Sequence, residues 1–452
     1  MISSGEVAGW LRENLSGGIA EEFSSMATFE REIDQKCMEV RRMVLEQLAQ
    51  EVADKQPLVC PQCNHPLQVV DYNRSRTVES SFGRITYTRG YGFCPDCSEH
   101  FFPVDRRLGL HERASASPRL QEIAALSVLR SPANQAEEDV LRMTGISMSA
   151  STLHREARRQ GERALRLREY DESLTQTADG IARLCAQAPP MRARSTLVIE
   201  IDAWNIRERD HWGQTKALQK EGKETGRWHW VYTGTVFRLD QRSTTESGRA
   251  VISERGYIAT RRGTESFRNQ LYAEALRRGL HQAETVLVLA DGAVWIWNLV
   301  GDRFARAVQR LDLYHAKEHL WALAGELFGR GSAEAEAWVR PYLNGLKDRE
   351  NGAVELIGSL EEFKERIEQF SEKQKEVFER ELNYFKTHQH RMDYKTGSDL
   401  GQPVGSGAIE STCAQYQRRF KLTGQFWSLE GDEAFLALWT LNRNGRWGKL
   451  FP

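Results

Sequence analysis

The spacing of apolar residues predicts a helix at the start of the chain. Within residues 1–56, apolar side chains recur at three- and four-residue steps, which places them in one stripe along a helix. The stripe comprises Phe29, Ile33, Cys37, Val40, Val44 and Leu48. We expect it to pack against the rest of the chain, and self-association through it is the alternative. Pro57 follows and ends the helix.

The pattern changes twice before residue 195. Residues 57–106 carry two Cys-Pro-x-Cys turns around alternating segments such as 84–88, which predicts a small β unit. Residues 107–170 have a helical pattern again, with breaks at Ser131-Pro132 and at Gly145. Residues 171–194 are predicted to be a connector.

Apolar runs of strand length begin at residue 195. They cover 197–202, 230–237 and 285–290, with a helical pattern at about 265–279 before the last of them. Strands that give way to helices predict a multidomain α/β protein with a mixed sheet. The predicted C-terminal segments are a strand-rich region 195–320, an all-helical region 321–400 and final helices in 401–452.

Composition changes this organisation little. A chain of 452 residues with 40% hydrophobic and 28% charged residues fits a soluble protein of several domains. We find no apolar run long enough to span a membrane and no apolar signal core, so we expect a cytoplasmic, nucleoid-associated protein. The formal net charge of -1 argues neither for nor against a nucleic-acid partner, because charge matters locally.

Four of the seven cysteines form two pairs, with two residues between the members of each pair. They are Cys60, Cys63, Cys94 and Cys97. Two such turns joined by a hairpin make a zinc ribbon, and four thiolates satisfy one structural Zn²⁺. A redox pair or a site without metal is the alternative. We therefore predict a zinc ribbon in residues 57–106.

The helical region after it resembles a helix-turn-helix unit. Residues 136–143 would form the first helix and residues 145–147 the turn, with Ser149 or Ser151 capping the second helix. The side chains of the second helix that could reach DNA are Thr152, His154, Arg155, Arg158 and Arg159. Plain helical packing is the alternative to DNA binding.

Two aspartates end apolar strands. Asp202 follows residues 197–201, and Asp291 follows residues 285–290. A charge in such a place needs a reason, and converging carboxylates that hold two Mg²⁺ or Mn²⁺ ions for nucleotidyl transfer supply one. Helix capping would explain each aspartate singly. Glu200 is a candidate auxiliary on the same strand face, and Asp302 and Asp312 are alternatives to Asp291.

A third acid, Glu410, follows the flexible segment 405–407 at the start of a predicted helix. Taken alone it is an ordinary surface glutamate. The cations after it would place phosphate contacts on the surface that carries the acid. These cations are Arg418, Arg419 and Lys421.

Four segments together resemble the blocks of the ISKra-type bacterial insertion-sequence transposases, relatives of the Mutator-like transposases. They are Ile201-Asp202-Ala203-Trp204, residues 289–296, residues 312–316 and residues 405–410. The resemblance covers most of residues 195–445. It implies a ribonuclease H-like catalytic domain with an all-helical insertion, and an Asp-Asp-Glu triad of Asp202, Asp291 and Glu410 that holds two Mg²⁺ or Mn²⁺ ions.

The resemblance also implies a function. The chain would bind the terminal repeats of its insertion sequence, cleave DNA and transfer the strands to target DNA, as a homodimer or higher oligomer. His315, in Asp312-x-x-His315, would lie near the active site, with a structural histidine as the alternative. A structure-selective nuclease and a non-catalytic DNA-binding regulator derived from a transposase remain as other hypotheses.

Two further patterns involve histidines and tryptophans. His315 and His319 do not have the glutamate order of a zinc protease, so that function is rejected. Four tryptophans near the predicted strands are expected in the core, with stacking on an extruded base as the alternative for one of them. They are Trp228, Trp230, Trp295 and Trp297.

Overall fold

The computed structural model describes residues 25–111, 114–209, 213–223, 227–248, 250–366, 369–428 and 430–451. The chain divides into two compact units, one up to Arg159 and one from Gln160 to Leu450. The part of the predicted N-terminal helical region in residues 1–24 lies outside the described residues. None of the helices in the described ranges is long and apolar enough to cross a membrane.

The first unit joins a long helix to a three-stranded antiparallel sheet in the order β1-β2-β3. Its elements are α1 (Met26–Asp54), β1 (Gln68–Ser80), β2 (Gly83–Cys94), β3 (Glu99–Phe101) and α2 (Pro103–Arg107). Helix α1 packs on β2 through Ala49, whose small side chain lies in a cluster with Val78, Ile85 and Tyr87. The β unit predicted around the cysteine pairs is therefore present.

The apolar stripe of α1 differs from the predicted one. The residues that face the sheet are Leu45, Ala49 and Val52. Ile33, Val44 and Leu48 of the predicted stripe stay exposed. The helix is apolar on two adjacent lines, and only the line with the small Ala49 allows the close approach that β2 requires.

Three helices follow in this unit. They are α3 (Pro118–Arg130), α4 (Ala133–Thr144) and α5 (Ala150–Leu174), the last of which continues beyond Arg159. Gly145 ends α4 in the left-handed conformation, with φ of 71°, which glycine adopts without steric cost. The Ser149 hydroxyl accepts from the Thr152 backbone N–H at 3.4 Å. Two helices separated by a turn thus lie where the sequence predicts them.

The second unit contains a five-stranded mixed sheet in the order β10-β9-β4-β5-β8. Strand β4 runs parallel to β9, and β9 runs parallel to β10, whereas β5 runs antiparallel to both of its neighbours, β4 and β8. The strands are β4 (Thr196–Glu208), β5 (Arg227–Arg238), β8 (Arg255–Thr260), β9 (Thr285–Ala290) and β10 (Val308–Leu311), with a separate hairpin of β6 (Arg242–Thr244) and β7 (Ala250–Ile252). This sheet confirms the predicted α/β class.

Alternation along β4 assigns its side chains to two faces of the sheet. Leu197, Ile199 and Ile201 lie in a core with two helices on one face. Val198 lies on the opposite face, where Ala408 packs. Glu200 and Asp202 share the parity of Val198 and therefore face the same side.

The helices of this unit form two groups. Those between β10 and residue 400 have a core of their own, which includes Leu320, Leu356 and Phe385. The helices are α6 (Ala178–Cys185), which lies in the predicted connector, α7 (Thr215–Lys220), α8 (Thr264–Arg277), α9 (Val294–Arg303), α10 (Leu313–Phe328), α11 (Ala333–Asp348), α12 (Gly352–Lys364), α13 (Glu372–His388), α14 (Tyr394–Asp399), α15 (Gly407–Phe420) and α16 (Gly431–Arg443). Helix α15 returns to pack against β4 and β5.

Candidate functional sites

The four paired cysteines converge on one point. Their sulfur atoms all lie within 4.8 Å of one another. The Cys60 and Cys97 sulfurs are 3.7 Å apart, and those of Cys63 and Cys94 are 3.5 Å apart. Tetrahedral coordination with Zn–S bonds of about 2.3 Å separates sulfurs by about 3.8 Å, whereas a disulfide would need about 2.05 Å. The cluster is therefore a candidate structural zinc site.

Local backbone geometry favours the thiolate of Cys60 in this cluster. The Gln62 backbone N–H donates to the Cys60 sulfur at 3.4 Å. Burial acts to raise the pKa of Cys60, but backbone hydrogen bonds from Cys63 and Gln62 bring it to about 6. His65 instead pairs with Asp96, with 2.5 Å between Nδ1 and the carboxylate. The donor set therefore fits zinc with four sulfur ligands.

Asp202 lies within β4, and Asp291 directly follows the adjacent strand β9. The prediction that Asp202 ends its strand was wrong, because β4 continues to Glu208 in its pairing with β5. Ile201 of β4 pairs with Ala290 of the parallel β9, so the two aspartates follow paired positions on strands about 4.8 Å apart. Asp291 accepts from the Ala293 backbone N–H at 2.9 Å. The structure thus brings two of the three predicted acids to one edge of the sheet.

The carboxylate of Asp202 is half-buried beside helix α15. The Ala203 backbone N–H donates to it at 2.7 Å, and the Cys413 thiol donates at 3.4 Å. Burial raises the pKa of Asp202, and the charge of Asp291 raises it further. Burial and the neighbouring Asp202 likewise raise the pKa of Cys413. The cysteine carries no motif that would have revealed this contact in the sequence.

Glu410 lies in the first turn of α15, and a buried glutamate holds that turn. The Ile409 backbone N–H donates to a Glu200 oxygen at 2.7 Å, and the Ser406 hydroxyl donates to Glu410 at 2.9 Å. Burial raises the pKa of Glu200 to about 8. Glu200 therefore positions the helix of Glu410 from the strand that carries Asp202.

Asp312 is fully buried and connects two segments near these acids. It accepts from the backbone N–H groups of Tyr314 and His315, each at 3.3 Å, and of Ser406 at 3.0 Å. It therefore caps helix α10 and fixes the segment that precedes Glu410. His315 lies 3.2 Å from Glu318, and its charge acts to lower the pKa of Asp202.

Tyr384, on helix α13 of the helical region, lies next to the residue that follows Asp291. A Cβ added at Gly292 would lie 2.5 Å from the Tyr384 ring, so this glycine permits a close approach. Tyr384 stacks on His319 with 3.7 Å between ring centroids, and His319 in turn lies 2.5 Å from Glu381. Burial and the charge of Asp291 raise the pKa of Tyr384. Sequence reasoning did not identify this residue.

The three acids are neighbours without being in mutual contact. Within the described ranges, groups of three possible ligands closer than 4.8 Å occur only around the paired cysteines. Ligands of one Mg²⁺ lie at most about 4 Å apart, but ligands of two ions about 3.5–4 Å apart can be separated by about 8 Å. No lysine or arginine of the described chain forms an ion pair with Asp202, Asp291 or Glu410. Uncompensated hard oxygen donors fit divalent cations of the Mg²⁺ type.

The candidate DNA-binding side chains of α5 differ in exposure. Arg155 is exposed, and its guanidinium donates to the Thr152 hydroxyl at 3.3 Å. Arg158 is half-buried. Arg159 pairs with the buried Glu156 at 3.1 Å and contacts His111 at 2.9 Å. Arg155 is therefore the side chain of this set best placed to reach a phosphate.

The cations after Glu410 also differ in exposure. Arg418 and Lys421 are exposed. Arg419 is buried, with its guanidinium 5.5 Å from the centre of the Trp427 ring, and burial lowers its pKa to about 10. In this structure Arg419 stabilises the packing of α15 against Trp427, and the other two side chains are available for phosphate contacts.

The prediction for the tryptophans was wrong for two of the four. Trp297 is buried and Trp295 half-buried, as expected, but Trp228 and Trp230 are 59% and 55% exposed. Both lie at the start of β5, where the neighbouring strand β8 no longer covers the sheet.

No model of a known protein family matches this chain. The chain is similar to the UPF0236 protein in vanSb 3'region of Streptococcus gallolyticus, with 24% identity over 386 residues that cover 83% of this chain and 74% of that protein. The Drosophila P element transposase strand transfer complex is similar at 11% identity and a TM-score of 0.26, over 75% of this chain and 80% of that chain. Identity of 24% does not establish a family, and this TM-score supports no conclusion, so function rests on the site geometry.

Proposed function

We propose that the protein is a DDE transposase that cleaves DNA at the terminal repeats of its insertion sequence and joins the ends to target DNA. One observation carries the proposal: Asp202 and Asp291 follow paired positions of adjacent parallel strands. Glu200 holds the helix of Glu410 against the same strand. The mixed sheet with helices packed on it supports a ribonuclease H-like catalytic domain.

In this proposal Asp202, Asp291 and Glu410 hold two Mg²⁺ or Mn²⁺ ions. Such a pair of ions activates the attacking water or 3′-hydroxyl and stabilises the leaving oxygen. The protein's own part is positioning. Ser406 orients Glu410 through its hydroxyl, and Cys413 holds one oxygen of Asp202. His315 lies near enough to Asp202 to affect its charge state, which supports a helper role at the site.

The remaining modules support recognition of DNA. Thr152 and Arg155 lie on helix α5, which follows the Gly145 turn. Arg418 lies on the helix of Glu410, and Lys421 directly follows that helix. Cationic side chains of this kind bind phosphates and make affinity depend on salt. We propose the terminal repeats as the partner of the N-terminal unit, and a homodimer or higher oligomer because two ends must be joined.

The test is strand transfer in vitro with labelled DNA that carries the ends flanking the protein's own gene. Asp202→Asn, Asp291→Asn and Glu410→Gln should each lower product formation by at least about 10³-fold, since each removes a charged ligand worth several kcal/mol to the transition state. Asp302→Asn is the matched control. Its carboxylate is exposed and pairs with Arg268, so activity should be unchanged.

The other hypotheses predict different results. Cleavage without joined products would indicate a nuclease. DNA binding without chemistry, equal for the wild type and the three variants, would indicate a non-catalytic regulator. Loss of activity in Asp302→Asn with activity retained in Asp291→Asn would overturn the assignment of the second acid.

A further inference from the structure

Part of the β4–β5 hairpin projects beyond the central sheet. Strand β4 pairs with β9 only as far as Ile201, and β5 pairs with β8 only from Tyr232. Residues 204–208 and 227–231 therefore pair with each other beyond the edge where Asp202 and Asp291 lie. We call this two-stranded projection the β4–β5 arm.

The two faces of the arm are unlike. On the face towards α15, Trp204 is buried and lies 6.3 Å from Phe420, measured between ring centroids. On the other face, Trp228 and Trp230 occupy alternate positions of β5, so both indoles extend from the same face, 59% and 55% exposed. Two adjacent indoles form an apolar patch of the kind that marks a binding surface.

Two cations lie beside Trp228. Arg207 is the cross-strand partner of Trp228, and its guanidinium lies 5.9 Å from the centre of that ring and 4.8 Å from that of Phe426. The ammonium of Lys421 lies 6.0 Å from the same Trp228 ring. The cleft between these side chains has a volume of about 250 Å³. It is smaller than the pockets of about 300–1,000 Å³ that usually bind drug-sized ligands.

We propose that the β4–β5 arm binds unpaired bases of DNA, which stack on Trp228 and Trp230 while Arg207 and Lys421 contact the backbone. Aromatic side chains among cations are the general means of binding single-stranded nucleic acid. The proposal rests on the proposed function and deepens it. Arg207 lies five positions along the strand from Asp202, about 17 Å, which corresponds to about five nucleotides of a DNA strand. The arm would hold DNA opened near the cut.

The experiment measures binding by the full-length protein without added Mg²⁺ or Mn²⁺. Fluorescence anisotropy would compare a labelled 12-nucleotide dT oligomer with an abasic oligomer of the same length. Trp228→Ala together with Trp230→Ala should weaken dT binding at least about 10-fold, because each stacked base contributes about 1–3 kcal/mol. Phenylalanine at both positions should restore most of the affinity. Trp321→Ala, 42% exposed on α10, is the matched control and should bind as wild type.

Three results would overturn the proposal. They are equal binding of dT and abasic oligomers by the wild type, unchanged dT binding by the double alanine variant, and a change of oligomeric state in that variant, which would make the patch a self-association surface. The proposed function is tested separately, because dT binding requires no chemistry. Asp202→Asn protein should bind dT as wild type does. If the wild-type protein showed no strand transfer but bound dT, the transposase proposal would be refuted and the proposal for the β4–β5 arm would remain.

Discussion

The cysteine cluster and the carboxylate site are built in opposite ways. The four cysteines lie within a stretch of 38 residues, on two tight turns joined by one hairpin. The three acids span 209 residues and come from a strand, the end of a second strand and a helix. A site of the first kind forms with its own hairpin. A site of the second kind forms only when most of a domain is folded.

This difference appears in the residues that support each site. Backbone N–H groups beside Cys60 lower the pKa of its thiol to about 6 despite its burial. The acids instead depend on buried polar residues that come from other segments. Glu200 holds the first turn of α15, and Asp312 connects the start of α10 to Ser406. The assembled site should therefore be sensitive to packing changes, and the local site to loss of its metal.

The largest expected effect is loss of zinc. Cys94→Ser removes one ligand, and structural zinc contributes about 10–16 kcal/mol of apparent binding free energy. We expect the variant to purify without zinc and to lose the thermal transition of the N-terminal unit, while the unit from Gln160 onward keeps its own. Metal analysis and calorimetry are the measurements. Cys185→Ser, outside the cluster, is the control, and one zinc per chain in both variants would contradict the four-ligand site.

A packing change tests the assembled site. Gly292→Ala places a methyl group 2.5 Å from the Tyr384 ring, and overpacking of this kind costs about 1–3 kcal/mol. We expect a lower free energy of unfolding in urea, together with slower strand transfer, because the change adjoins Asp291. Gly301→Ala is the control, since nothing lies within 4 Å of its added Cβ.

A double variant sharpens this prediction. Tyr384→Ala removes the ring that the new methyl group would meet, so Gly292→Ala should cost little stability in that background. An equal loss in both backgrounds would mean that the contact with Tyr384 is not what requires glycine.

A smaller effect concerns pH. Burial and the neighbouring Glu208 raise the pKa of Asp432 to about 9, so the folded state retains a proton that the unfolded state loses near pH 4. The contribution of Asp432 to stability is complete below about pH 4 and is lost as pH rises to about 9, with a slope of at most about 1.4 kcal/mol per pH unit.

Asp432→Asn keeps the shape of the protonated acid without its titration. The free energy of unfolding in urea, measured between pH 5 and 8, should fall less steeply with pH in this variant than in wild type. Zinc affinity should instead increase as pH rises, because thiolates form as pH rises. Parallel slopes for wild type and variant would show that Asp432 ionises normally in the folded protein.

Much of both sites could be predicted from local patterns. Paired cysteines with two residues between them indicated the cluster because a tight turn is enough to place two ligands. Apolar runs that end in aspartate indicated Asp202 and Asp291, and the parallel pairing of β4 with β9 as far as Ile201 and Ala290 brings the two positions together. Their roles as metal ligands stay predictions until strand transfer is measured.

The partners of other residues in the site have no local signal, although Glu200 and Asp312 themselves are candidates from the sequence. Glu200 and Asp312 are single acids in apolar surroundings, and their partners lie 209 and 94 positions away. Tyr384 belongs to a helical region whose own periodicity says nothing about Asp291. Such contacts depend on which distant segments pack together, and one sequence does not specify that.

The sequence by itself determined the helices, the alternating strands, the cysteine turns and the positions of the acids, because these follow from periodicity and turn chemistry. Only the tertiary structure decided which side of an element is covered. It buries Trp204 and exposes Trp228 and Trp230 on one hairpin, and it buries Arg419 beside the exposed Arg418. The physical reason is that burial depends on the neighbouring segment, and β8 and β9 end before the β4–β5 arm does.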